Sequence, residues 1–131
     1  MALKFVLDTS GYAGYNRGDA RLKPWFRAEI EILVPLVVVG ELRAGFAAGN
    51  QRAENEALLR RFLDTPGVNV VTLADATTKL FAEIYLGLRR AGTPIGTNDM
   101  WIAAAAMEHD CELLTLDADF SRVPGLKLSN F

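Results

Sequence analysis

Short apolar segments alternate with segments of helical periodicity along this chain, and this alternation restricts the folds that it can adopt. Each apolar segment is rich in bulky side chains and is bounded by Asp, Gly or Pro, as expected of buried strands. These segments are residues 4–7, 30–34, 68–73, 113–116 and 126–128. Strands separated by helices join through right-handed crossovers into a parallel sheet that carries helices on both faces. The sequence therefore predicts an α/β fold with three layers, α/β/α, around a small, mainly parallel central sheet.

The segments between the strands place apolar side chains at the spacing of amphipathic helices. These segments are residues 20–29, 36–48, 51–63, 75–88 and 98–109. Residues 37–39, all valine, would also suit a strand, but the composition of residues 41–48 favours a helix. We expect Asp75 and Thr97 to cap the last two helices.

Size and composition predict a single domain, residues 1–131, with an apolar core, since 50% of the residues are hydrophobic. Fourteen Lys and Arg against sixteen Asp and Glu give 14 − 16 = −2, which excludes a protein that coats DNA through bulk charge alone. The one cysteine, Cys111, cannot form an internal disulfide, and the one histidine, His109, excludes mechanisms that need a His pair. The longest apolar run, residues 32–39, is interrupted by Pro35 and is shorter than the roughly 20 residues of a membrane span. We therefore expect a cytoplasmic protein without membrane contact.

Two aspartates directly follow predicted strands. Asp8 comes after residues 4–7, and Asp117 comes after residues 113–116. Ligands of parallel sheets bind beyond the carboxyl ends of the strands, so both carboxylates are expected at one edge of the sheet. Taken singly, each could instead be the N-cap of the next helix.

Two further acids lie on apolar faces of predicted helices. Glu41 has Val37, Val38 and Ala44 at helical spacing, and Asp99 is followed by small and apolar side chains at the same spacing. An ionised carboxylate on an inward face costs several kcal/mol unless it is paired, protonated or bound to a metal. A buried salt bridge is the alternative for each acid alone, although the nearby arginines in sequence lie on other helix faces or other helices.

Taken together, the four acids favour a shared pocket. At about 4 Å and an effective dielectric constant near 20, each pair of carboxylates repels by roughly 4 kcal/mol, so the empty pocket is unstable at neutral pH. Oxygen ligands without His or Cys select Mg²⁺ or Mn²⁺ over zinc. Such ions orient phosphates, lower the pKa of bound water and stabilise in-line displacement. The pattern therefore predicts phosphodiester hydrolysis.

The segments that carry these acids resemble those of the PIN-domain ribonucleases, and in particular the VapC toxins of bacterial toxin-antitoxin pairs. The segments are LDTS at 7–10, GELRAG at 40–45, GTPIGTNDMWIAAAA at 92–106 and LLTLDADFSRVPGLKL at 113–128. In this order and spacing they cover almost the entire chain. The resemblance implies a catalytic metal site made of Asp8, Glu41, Asp99 and Asp117, supported by Thr9, Asn98 and Asp119.

The resemblance also implies a function and partners. These are a metal-dependent endoribonuclease, RNA as the substrate, an antitoxin whose tail lies in a groove beside the active site, and a homodimer. The sequence departs from the family pattern after Ser10, where related toxins tend to carry a continuous apolar helix. Here Gly11, Gly14 and Gly18 predict a loosened segment, which affects the expected antitoxin groove more than catalysis.

Two other classes of function compete with this interpretation. A catalytically degenerate PIN module would bind RNA or a protein partner without cleavage, but all four acids are intact. A phosphotransfer protein with an Asp nucleophile would need further acidic residues near the first strand, whereas Asp8 is followed by Thr9 and Ser10. Three arginines, Arg43, Arg89 and Arg90, could bind RNA phosphates or form a solvated face.

Overall fold

The computed structural model describes residues 3–129, in which four parallel strands form one sheet of order β3-β2-β1-β4. The strands are β1 (Leu3–Leu7), β2 (Ile30–Pro35), β3 (Val68–Val71) and β4 (Glu112–Leu114). The helices are α1 (Thr9–Asn16), α2 (Leu36–Ala48), α3 (Arg52–Leu63), α4 (Asp75–Ala91) and α5 (Thr97–Glu108). Two short 3₁₀ helices are Lys23–Trp25 and Ala118–Arg122. The predicted α/β fold with a parallel sheet is confirmed.

The central strand β1 fixes the register of the sheet. Val6 pairs with Leu33 of β2 on one side and with Leu113 of β4 on the other. Consecutive residues at the end of β1, Phe5, Val6 and Leu7, are all buried, which requires that helices cover both faces of the sheet. The last predicted strand, residues 126–128, is present only as a single parallel bridge between Leu113 and Leu128.

The prediction of a loosened segment after β1 is wrong, because α1 begins at Thr9 and includes two of the three glycines. A Cβ atom at Gly11 would lie 2.7 Å from the carbonyl oxygen of Leu114 and 2.8 Å from Leu7 Cδ1. A Cβ atom at Gly14 would lie 2.6 Å from Leu116 Cδ1. The glycines therefore allow α1 to pack directly against the ends of β1 and β4, and this contact outweighs their low helix propensity.

The predicted helix over residues 20–29 is also wrong, since only the 3₁₀ helix Lys23–Trp25 forms there. Its apolar side chains pack instead as an aromatic cluster beside β1. Trp25 and Phe26 each contact the Phe5 ring edge-on at 6.0 Å, and Tyr15 stacks on Phe26 at 3.8 Å. The spacing that resembled a helix face therefore reflects tertiary packing of aromatic rings.

The other helices form where the sequence predicts them. Asp75 and Thr97 are the first helical residues of α4 and α5 rather than their caps, which are Ala74 and Gly96. Gly92 ends α4 in the left-handed conformation at φ 70°, where glycine is strongly favoured. Within the described part of the chain, no helix combines the length and the apolar character that a bilayer-spanning segment needs.

Candidate active site

Asp8 follows β1 and is held by hydrogen bonds from three neighbours. Its side chain is buried and caps α1, and its Oδ1 atom accepts a hydrogen bond of 2.7 Å from the backbone N–H of Gly11. The hydroxyls of Ser10 and Thr115 donate to Oδ2 at 2.9 and 2.6 Å. Burial raises the pKa of Asp8, while these hydrogen bonds oppose the rise by stabilising the ionised form. The predicted N-cap role is therefore present, together with a position at the sheet edge.

Asp117 follows β4 at the same edge, as the sequence predicts, because β1 and β4 are parallel neighbours. Thr115 Oγ1 accepts a hydrogen bond of 2.9 Å from the backbone N–H of Asp117 while it donates to Asp8. The backbone N–H of Leu116 donates to Ser10 Oγ at 2.9 Å. Two hydroxyls therefore connect the segments that carry Asp8 and Asp117.

Glu41 extends from α2 towards the beginnings of α1 and α5. Its Oε1 atom accepts a hydrogen bond of 2.8 Å from Thr9 Oγ1, and its Oε2 atom accepts one of 3.3 Å from Asn98 Nδ2. The alternative of a salt bridge to Arg43 is not observed, since Arg43 Nε lies 3.3 Å from Glu56 Oε2 instead. Neutral donors from two other helices therefore orient Glu41.

Asp99 lies in the first turn of α5, where it is partly buried. Burial and, after it, the negative charges of Asp117, Glu41, Asp8 and Asp119 raise the pKa of Asp99 to about 6. Four carboxylates from three separate segments therefore lie close enough to Asp99 to disfavour its ionisation. No salt bridge to Asp99 is present within residues 3–129.

An open pocket of about 240 Å³ lies beside Asp99. It is lined by Glu41, Gly96, Thr97, Asn98 and Asp99. Nowhere in residues 3–129 is a group of three or more His, Cys, Asp or Glu side chains already arranged to hold a metal ion. Two of the four acids, Glu41 and Asp99, therefore border an open cleft. The four acids offer only oxygen ligands, and their negative charges repel one another. Both properties fit a hard divalent cation.

Ser10, Thr115 and Arg122 contact the acid-bearing segments but were not predicted from the sequence as site residues. The sequence feature that could have identified Ser10 and Thr115 is a polar residue inside each acid-bearing segment, LDTS and LLTLD. Arg122 Nη2 lies 3.4 Å from Asp119 Oδ1, and its Nη1 atom donates to the carbonyl oxygen of Pro94 at 3.3 Å. The three-residue spacing of Asp119 and Arg122 indicated the first of these contacts.

Arg89, a candidate for phosphate binding, and two aromatic residues, Trp101 and Tyr12, take ordinary structural positions in the described chain. Arg89 donates to the hydroxyl of Tyr85 at 3.1 Å along α4. Trp101 stacks on Phe81 at 3.9 Å between α5 and α4, and Tyr12 is buried in the core, where its ring packs against Phe62.

A larger cavity, about 1030 Å³, opens at the opposite edge of the sheet, beside the first residues of β1. Its acids are already engaged: Glu31 accepts from Asn69, Asp110 pairs with Lys127, and Glu112 accepts from Ser129. The cavity therefore offers space without an acid like Asp99, whose pKa is raised by burial and by neighbouring carboxylates.

Comparison with known proteins gives matches over nearly the full length. The family model of the PIN domain matches residues 5–126. Ribonuclease VapC4 of Mycobacterium tuberculosis is 31% identical over 129 residues, which cover 94% of this chain and 93% of that protein. VapBC2 from Rickettsia felis, solved bound to a DNA fragment from its promoter, superposes with a TM-score of 0.85 at 25% identity, covering 98% of this chain and 99% of that one. VapBC-5 from Mycobacterium tuberculosis, a member of the VapBC toxin-antitoxin family, superposes with a TM-score of 0.74 at 27% identity, covering 95% and 93%.

Proposed function

The chain belongs to the PIN domain family, among the VapC ribonucleases, and on this basis we propose that it is a metal-dependent endoribonuclease that acts as the toxin of a toxin-antitoxin pair. The observation that carries the proposal is the raised pKa of Asp99, which results from burial and from carboxylates on four other residues. Like charges gathered in one cleft are unfavourable in the free protein and become favourable around a divalent cation. We propose that residues 1–131 form one PIN domain.

The proposed ligands of Mg²⁺ or Mn²⁺ are Asp8, Glu41, Asp99 and Asp117. A bound divalent ion would supply Lewis-acid activation of the scissile phosphate and of water. Hydrolysis by water requires no covalent intermediate on the protein, and the products would carry 5′-phosphate and 3′-hydroxyl ends.

The side chains around these acids hold them in place. Thr9 and Asn98 donate to the two oxygens of Glu41, which fixes its rotamer at the cleft. Ser10 and Thr115 do the same for Asp8. Ligands oriented in advance lose less conformational entropy when the ion and the RNA bind. Asp119 adds negative charge near Asp99 and serves as a supporting residue.

We also propose an antitoxin as the protein partner and a homodimer as the assembly. The solved neighbours VapBC2 and VapBC-5 support the first of these, since VapBC-5 is described as a member of a family of toxin-antitoxin systems. Helix α1 is present, although the departure from the family pattern after Ser10 predicted a loosened segment there. We propose that α1 contributes to the groove in which an antitoxin tail would bind.

Cleavage of RNA by the purified protein tests the enzymatic proposal. With Mn²⁺ we expect endonucleolytic products from wild-type protein and their loss in Asp8→Asn and Asp99→Asn, because each change removes a charged ligand. Asp64→Asn is the matched control, since Asp64 is an exposed acid paired only weakly with Arg60 on α3. Excess chelator should abolish the wild-type activity.

Equal activity of the wild-type protein and both site variants would refute the enzymatic proposal. Calorimetric titration with Mn²⁺ distinguishes the enzymatic proposal from the competing interpretation. The latter is a degenerate PIN module that binds RNA or protein without cleavage. That module would show no Mn²⁺ binding that depends on Asp8 and Asp99.

A further inference from the structure

Arg122 connects two segments that each carry a carboxylate of the cleft. Its guanidinium contacts Asp119 Oδ1 at 3.4 Å and donates to the carbonyl oxygen of Pro94 at 3.3 Å. Asp119 lies two residues after Asp117, whose side chain accepts a hydrogen bond of 2.9 Å from the Asp119 N–H. Pro94 lies in the loop that leads into α5 and Asp99. Arg122 and Asp119 both lie in the 3₁₀ helix Ala118–Arg122, so the hydrogen bond to Pro94 is the contact of Arg122 that links this helix to the loop before α5.

The contacts of Arg122 suit a geometric role better than a contribution to global stability. Its side chain is 46% exposed and that of Asp119 is 48% exposed, so water screens the ion pair strongly. The guanidinium is planar and rigid, so its ion pair with Asp119 in the same 3₁₀ helix orients it to donate to the Pro94 carbonyl in the other segment. The result is a defined separation between the 3₁₀ helix Ala118–Arg122 and the loop before α5.

Within residues 3–129, no side chain donates a hydrogen bond to the carboxylate of Asp99 or Asp117, in contrast to those of Asp8 and Glu41. Asp8 is buried and receives donors from three residues, and Glu41 receives donors from α1 and α5. Asp99 lies in the first turn of α5 and Asp117 is the N-cap of the 3₁₀ helix, so each element carries an acid and like charges repel each other. A cross-link between them opposes that repulsion.

We propose that Arg122 is a positioning residue that bridges Asp119 and the Pro94 carbonyl and thereby holds Asp99 and Asp117 at the separation that a divalent cation requires. The effect of Arg122 on metal binding rests on the proposed function. The contacts of Arg122 with Asp119 and Pro94 do not depend on a metal.

Three variants test the bridge. Arg122→Ala removes both contacts, whereas Arg122→Lys keeps a positive charge but cannot direct two planar donors to both partners. Arg60→Ala is the control, because Arg60 forms a similarly exposed ion pair with Asp64, 3.4 Å long, on α3. Circular dichroism and thermal melts confirm that each variant is folded.

Hydrogen exchange of the metal-free protein measures how well the backbone amides of the two segments are protected, and it does not depend on activity. We expect faster exchange in residues 93–97 and 118–122 of Arg122→Ala and Arg122→Lys, and unchanged exchange there in Arg60→Ala. In calorimetric titrations, both Arg122 variants should bind Mn²⁺ about tenfold more weakly, as is typical when a residue that orients metal ligands is lost. In cleavage assays kcat should fall while KM for RNA stays unchanged.

Each other outcome is decisive. If exchange and Mn²⁺ affinity equal those of wild type in Arg122→Ala, the bridge has no positioning role. If Arg122→Lys restores wild-type cleavage and only RNA affinity falls in Arg122→Ala, Arg122 contacts the RNA phosphates instead and the proposal is wrong. If wild-type protein neither binds Mn²⁺ nor cleaves RNA, the proposed function fails, and the exchange experiment still decides whether the bridge exists.

Discussion

Replacing Asp99 with Asn should stabilise the metal-free protein at neutral pH, although it removes a proposed metal ligand. Burial and four neighbouring acids raise the pKa of Asp99 from 3.8 to about 6. The folded protein therefore holds a proton on Asp99 to higher pH than the unfolded chain does. As the pH rises from about 4 to about 6, Asp99 ionises at a cost to the folded state, and this cost remains at higher pH.

The size of the effect follows from the pKa difference and from exposure. If the whole shift acted on stability, a rise in the pKa of Asp99 from 3.8 to about 6 would lower the free energy of unfolding by about 3 kcal/mol at pH 7.5. Because the carboxyl is only partly buried, solvent and salt screen much of this energy, and we expect about 1–2 kcal/mol. For a chain of 131 residues, each kcal/mol corresponds to about 3–5 °C in Tm.

Chemical denaturation in the presence of a chelator measures the gain in the free energy of unfolding of Asp99→Asn over wild type. The free energy of unfolding of Asp99→Asn should exceed that of wild type at pH 7.5. The difference should disappear near pH 3, below the unfolded-state pKa of 3.8, where Asp99 is mostly protonated in both states. The control Asp64→Asn should change the free energy by less than about 0.5 kcal/mol at pH 7.5. A variant no more stable than wild type at pH 7.5, or equally stabilised near pH 3, would show that the acids do not repel Asp99.

Two further predictions concern the packing and hydrogen bonds beneath the cleft. Gly11→Ala should lower the free energy of unfolding by about 1–3 kcal/mol, since the new Cβ would contact a backbone carbonyl at 2.7 Å. Gly45→Ala in α2, with open space around its Cα, should instead leave stability unchanged or raise it by up to about 1 kcal/mol, and denaturant titration that found the two alike would refute this packing argument. Thr115→Val should cost about 1–3 kcal/mol in the same titration, because the buried carboxylate of Asp8 loses its 2.6 Å donor. Thr65→Val, which removes an exposed hydroxyl contact on α3, should cost less, and an equal cost would contradict the importance of the buried bond.

The sheet and the helices with clear periodicity could be predicted from local sequence, because the spacing of apolar residues reports burial directly. The acids could be placed in the same way. Asp8 and Asp117 end strands of a parallel sheet, and the carboxyl ends of such strands share one edge. The apolar neighbours of Glu41 and Asp99 predicted inward faces, and the structure directs both towards the cleft.

Other features depend on contacts between distant parts of the chain and could not be predicted locally. Helix α1 forms despite Gly11 and Gly14 because only glycine allows its close approach to Leu114 and Leu116, which follow it by about a hundred residues. The hydrogen bonds of Thr115 were missed for the same reason. They exist only because β4 lies next to β1 in the sheet.

The order of the strands also bears on when the cleft can exist during protein synthesis. The central strand β1 is made early, but its neighbour on one side is β4, and the chain must extend past residue 117 before the final acid joins Asp8. Ribosomes build the chain from the amino terminus, so a nascent chain that lacks β4 has only part of the carboxylate cluster. A nascent chain that ends before residue 117 therefore lacks part of the carboxylate cluster, and we expect it to lack the proposed cleavage activity as well.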